Sequence, residues 1–118
     1  MPTSESRKKP RIGSHNLVSY VCMDEDNHAI KQGIGRTLNI SEGGILLETH
    51  SPIEAGPFVS LTIGMEDDLM DFRGKIAHSK ERDDGRFENG VEFSTMNAEE
   101  MQFLQQFITI FKGEEEGS

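Results

Sequence analysis

Met70-Asp71-Phe72-Arg73-Gly74-Lys75-Ile76-Ala77-His78-Ser79 decides the fold class. Met70, Phe72, Gly74, Ile76 and His78 alternate with Asp71, Arg73, Lys75, Ala77 and Ser79. Side chains on a strand point to opposite faces in turn, so this alternation predicts a long, half-buried β-strand. On that reading His78 belongs to the inward face. Toward the C-terminus, Asp83-Asp84-Gly85 is a hairpin signal, and Phe87 to Phe93 alternates again. Toward the N-terminus, Val59, Leu61 and Ile63 alternate with Phe58, Ser60 and Thr62, behind a loop marked by Ser51-Pro52 and Ala55-Gly56-Pro57. Further strands are expected at Leu17–Met23, from about Ala29 to Ile40, and at Ile45–Thr49. In the second of these, Ile34, Arg36, Leu38 and Ile40 fall on one face.

The period changes after Asn97. Asn97 and Glu100 have the spacing of a capping box, and Met101, Leu104, Ile108 and Phe111, widened by Phe103 and Phe107, form one helical stripe. A stripe this aromatic is packing material for one end or the open side of a sheet. Gly113 is read as the helix end, before an acidic tail over 113–118. Six short strands and a terminal helix predict a mostly β protein, a six-stranded antiparallel barrel over 15–112. Residues 1–14, polar and holding Pro2, Pro10 and Gly13, are read as a flexible arm.

Composition excludes several functions. At 118 residues the chain is one domain, and a net charge of −9 argues against a broad nucleic-acid face. One cysteine, Cys22, rules out an intramolecular disulfide; in an apolar strand it reads as buried and inert. No apolar run approaches the roughly 18–20 residues of a membrane span, and 1–11 has no secretory signal, so a cytoplasmic location is expected. Asp24 and Asp26 do not open a calcium loop, because the glycine position holds Ala29 and the bidentate position Gly35. Gly33-Ile34-Gly35 lacks the third glycine of a dinucleotide fingerprint. The four histidines, His15, His28, His50 and His78, form no pair at metal-ligand spacing. No enzyme, metal or cofactor is expected.

Two segments remain. Asn39-Ile40-Ser41-Glu42-Gly43-Gly44 sets turn-forming side chains beside bare backbone, a platform for an anion or nucleotide. Arg7-Lys8-Lys9-Pro10-Arg11 holds four of the twelve basic residues, with two guanidinium forks four apart that can grip phosphate and bond a guanine edge. Together they match the RxxxR and [D/N]xSxxG motifs of PilZ domains, in the same order; Pro52, Gly56 and Gly90-Val91-Glu92-Phe93 match as well. The chain therefore resembles that family over nearly its whole length.

The resemblance implies a six-stranded barrel with a C-terminal helix and a receptor for the bacterial second messenger cyclic di-GMP. It assigns ligand binding to Arg7, Arg11, Asn39, Ser41 and Gly44. The implied outcome is an altered surface for an unidentified downstream protein, controlling motility, adhesion or exopolysaccharide production. The alternative is a PilZ-like interaction module of a pilus or flagellar system that does not bind the nucleotide.

Overall fold

A computed structural model describes residues 17–53, 58–65 and 68–117, with side chains to 113. Six strands are followed by a helix: β1 (Leu17–Met23), β2 (Ala29–Ile40), β3 (Gly44–Thr49), β4 (Phe58–Met65), β5 (Asp68–Glu81), β6 (Phe87–Phe93) and α1 (Ala98–Gly117). They close into an antiparallel barrel in the order β1-β2-β3-β6-β5-β4, with β4 returning to β1. Closure gives every strand two neighbours, so no strand is an edge along its whole length. Alternation decides what fills the interior. Val18, Tyr20 and Cys22 from β1, Val59, Leu61, Ile63 and Met65 from β4, and Phe72 from β5 are all buried.

Simple alternation fails in two places, and the reason is the same in both. β2 carries a bulge between Thr37 and Asn39, and β5 carries one between Ile76 and His78. An extra residue in one strand turns every later side chain to the other face. In β2, Ile34 and Arg36 therefore face solvent while Ile40 is buried, so the four residues expected on one face are divided. In β5, Phe72 faces in, but His78 faces out. The inward position next along is taken by Ser79, whose hydroxyl donates to Asn89 Oδ1 at 2.6 Å. Asn89 is fully buried, and its Nδ2 donates to Thr49 Oγ1 at 2.9 Å and to the Leu47 carbonyl at 3.3 Å. This small polar network meets the rule that a buried amide keeps its hydrogen bonds.

One end of the barrel gathers the β2–β3 turn, the β4–β5 turn, the last residues of β6 and the start of β1. Helix α1 lies across that end. Its capping box forms as the spacing predicts: the Glu100 N–H donates to Asn97 Oδ1 at 2.7 Å, and the Asn97 N–H to Glu100 Oε1 at 2.9 Å. Phe103, Leu104, Phe107 and Phe111 turn into the core, with Phe103 against Phe72 at 6.1 Å between ring centroids. The opposite side of the helix reaches the β2–β3 turn, where Gln105 Nε2 donates to Glu42 Oε2 at 2.9 Å. The helix continues to Gly117 and does not end at Gly113. A glycine inside a helix costs only about 1 kcal/mol relative to alanine, and the three glutamates after it are good helix formers.

Candidate functional site

The β2–β3 connection is built by local hydrogen bonds. The Ser41 N–H donates to the Gly44 carbonyl at 2.9 Å, closing the turn, and the Gly43 N–H donates to Ser41 Oγ at 3.3 Å. Asn39 Oδ1 accepts from the Ile40 N–H at 2.9 Å, which holds that side chain at the bulge. The Phe93 N–H donates to the Gly43 carbonyl at 3.0 Å and ties the turn to β6. Neither glycine has φ in the left-handed region; among described glycines only Gly85 does, at 86°. Gly44 is needed for space. A Cβ there would lie inside 3.0 Å of the Val91 carbonyl oxygen, whereas one on Gly43 would meet only Ser41 Oγ at 4.0 Å.

Asn39, Ser41 and Gly44 are brought together along an open groove of about 320 Å³ on the outer barrel face. Its other wall comes from β5 and β6, through Ala77, His78, Gly90 and Glu92. Motif reading left this second wall unassigned. Gly90 and Glu92 were visible in the sequence only as family matches, and His78 was hidden because a bulge leaves no mark in composition. Arg7 and Arg11 lie outside the described residues.

The same face carries a charged cluster further from the turn. Glu48 is 5% exposed and stands beneath three arginines: Arg36 Nε at 3.1 Å, Arg82 Nη1 at 2.7 Å and Arg86 Nη1 at 3.4 Å. The Arg82 approach is an ion pair whose N–H is aimed elsewhere, since Nη1 donates to Glu88 Oε2 at 3.5 Å and Glu48 Oε2 accepts no well-directed bond. Arg82 also pairs with Asp84. The hydrogen bond from Arg36 is the main reason the Glu48 carboxyl lies below its ordinary value of 4.5, with Arg82 adding to it against the opposing effect of burial. Hydrogen bonds from Arg82, then from the Arg86 N–H, lower Asp84 to about 2.

Both shifts have the same sign in a linkage argument. A carboxyl depressed in the folded state gives its full stabilisation above the unfolded value and loses it as pH falls through the folded one. Stability should therefore hold from neutrality to about pH 4.5 and decline below it toward pH 2. Urea unfolding at a series of pH values should show that decline. Glu48→Gln should make that decline shallower and cost on the order of 1 kcal/mol at pH 7, because the arginines it faces are partly solvated.

Among the described residues, the ligand atoms of Asp24, Asp26 and His28 lie within 4.8 Å of one another. The turn itself explains the grouping: Asp24 Oδ1 accepts from the backbone N–H groups of Asp26 and His28, each at 2.9 Å. Cys22 is buried in β1, as expected of a core thiol. Among the described residues no helix is long and apolar enough to cross a membrane.

Comparison with known proteins agrees with the barrel. Two structures of MrkH from K. pneumonia, one in its apo state, superpose with TM-scores of 0.58 and 0.59. Each is 11% identical and covers 86% of this chain, but only 50% and 48% of the MrkH chains, so this chain spans about half their length. At that identity the likeness shows the fold alone. No curated protein matches the sequence. The PilZ domain model matches residues 5–109. The barrel, the terminal helix and that match over most of the sequence lead to one conclusion: this chain belongs to the PilZ domain family, a family of cyclic di-GMP-binding receptor modules.

Proposed function

We propose that this chain is itself a cyclic di-GMP receptor, with Asn39, Ser41 and the backbone at Gly44 holding the ligand from the barrel and Arg7 and Arg11 closing over it. The observation that carries this reading is the convergence of Asn39, Ser41 and Gly44 on one groove, at the barrel end where β1 begins. Leu17 pairs with Arg36 in an antiparallel ladder, so β1 begins toward the Asn39 end of β2. Six residues of extended chain span roughly 20 Å, and the five from Arg36 to Ser41 roughly 17 Å. That length of chain is compatible with the closure proposed for Arg11.

Electrostatics supports a close-contact mechanism. The ligand carries two phosphate charges and the protein a net −9, but salt screens that repulsion beyond roughly 8 Å. Arginine forks then act locally, pairing with guanine O6 and N7 and with phosphate. Ordering the arm costs roughly 1–2 kcal/mol per backbone residue, so micromolar or somewhat tighter affinity is expected. That ordering is also the signal: a docked arm changes the surface offered to a downstream protein, in a cytoplasmic pathway of motility, adhesion or exopolysaccharide production. The reading includes no catalysis, no metal and no contact with DNA or RNA.

Calorimetric titration with cyclic di-GMP, against GTP and cyclic di-AMP, tests the assignment. Saturable, selective heat is expected, and its stoichiometry distinguishes one bound molecule from a stacked pair. Arg11→Ala should weaken binding about thirtyfold, equivalent to about 2 kcal/mol. A variant that binds as tightly as the parent removes Arg11 from the site. An absence of heat at high micromolar ligand with the parent would favour the interaction-module alternative.

A further inference from the structure

Helix α1 and the first residues of β5 leave a second crevice between them. It holds about 330 Å³ and shares no lining residue with the groove. Half-buried Met70 and buried Phe103 supply its apolar surface, and Leu69, 72% exposed, stands at its edge. Asp68 and Glu99 supply its charge. Among the described residues, neither carboxylate has an ion-pair partner. An exposed leucine beside two such carboxylates defines what would cover it: a segment with several cations on aliphatic stems. Lysine and arginine lay those stems on apolar surface while the charged heads stay in water.

The start of β1 points to such a segment. Val18 pairs with Ile63 and Ile63 with Met70, so the three residues share one row across β1, β4 and β5. β1 therefore begins two strand spacings, about 10 Å, from the crevice. Leu69 narrows that gap. Its side chain lies over Gly64 of β4, where a Cβ would stand 3.0 Å from Leu69 Cδ2. Arg11 precedes Leu17 by six positions, and segment 7–11 carries four positive charges. Six extended residues span roughly 20 Å, a length compatible with a seat in the crevice. A short tether also raises the local concentration of the segment to roughly millimolar, so weak exposed ion pairs suffice to populate the contact.

We infer that, without ligand, segment 7–11 of this chain docks in the β5–α1 crevice, its cations beside Asp68 and Glu99 and its stems against Leu69. The docking stands apart from the receptor reading, whereas its release rests on that reading. Arg7 and Arg11 cannot close over a ligand at the motif turn and occupy the crevice at once. Ligand and crevice compete for one segment, and apparent nucleotide affinity falls in proportion to the fraction of arms left undocked.

The experiment compares amide NMR spectra of the nucleotide-free parent and the arm variant R7Q/K8Q/K9Q/R11Q, with thermal unfolding as the fold control. Shifts are expected at Leu69, Glu99 and Phe103, and none at Glu25 or Asp83 in the turns of the opposite barrel end. Made in a D68N/E99Q background, the same arm change should leave the crevice amides unmoved. No shift at the crevice, or equal shifts at both ends, would overturn the docking and leave the crevice to a segment of another protein. Shifts that fade on dilution would place the arm of a second copy there and overturn the intramolecular contact. Cyclic di-GMP added to the parent should then move the crevice amides toward their positions in the arm variant. D68N/E99Q should bind the nucleotide about threefold tighter than the parent, and the charge control E25Q/D83N should not. Equal tightening in the control would reduce the effect to plain repulsion and overturn the competition. A parent that docks its arm but binds no nucleotide would remove the receptor reading and the release step, and would leave the docking in place.

Discussion

Phe107→Ala should lower the unfolding free energy by about 3–5 kcal/mol, the largest stability loss expected from one substitution in this chain. Phe107 is fully buried on α1, between Phe103 and Phe111 in the helix stripe, and stacks with Phe111 at 6.4 Å between centroids. It belongs to the same core cluster as Phe72 and Ile40 from the barrel. Truncation removes the transfer energy of the ring and leaves a cavity that rigid strands cannot collapse into. A domain of this size has about 5–15 kcal/mol of stability, so the loss would approach a third or more of the total. Urea denaturation should show a lower midpoint with little change in slope. A change below about 1 kcal/mol would mean that α1 does not close the barrel end in solution.

The second large effect is expected at Gly44. Gly44→Val places a branched side chain against the backbone carbonyl of Val91, which is part of the β3–β6 ladder and cannot swing aside. Overpacking against main chain costs up to about 3 kcal/mol, and here it also displaces the turn that holds Asn39 and Ser41. Both stability and cyclic di-GMP affinity should fall. Gly43→Ala is the matched control, since its Cβ would meet nothing closer than 4.0 Å and its φ is ordinary. Equal losses at the two positions would refute the assignment of Gly44 to close approach.

Much of this was legible in the sequence, for reasons that can be stated. The β4 pattern from Val59 to Ile63 and the capping box at Asn97 and Glu100 are local rules, and the structure obeys both. The motif turn could be read because its side chains bond within a few residues of themselves. Features that depend on register could not be read. A bulge changes which face a residue takes without changing composition, so His78 was placed on the wrong face and Ile34 was grouped with Ile40 on one face. Glu48 looks like any polar strand residue. Its burial follows from arginines 12 positions before it and 34 and 38 positions after it, which only the folded barrel brings together.

Barrel closure also bears on how quickly this protein reaches its native state. Val18 of β1 meets Ile63 of β4, 45 positions later, and Gly44 of β3 meets Glu92 of β6, 48 positions later. The β1–β2, β4–β5 and β5–β6 hairpins can form from neighbouring residues, but these two seams require long loops to close first. Such topologies fold in milliseconds to seconds, not microseconds. During that interval β1 and β4 each expose an unpaired edge, with backbone groups ready to accept another chain's strand. Refolding yield should therefore depend on protein concentration, even though every strand of the finished barrel has two neighbours.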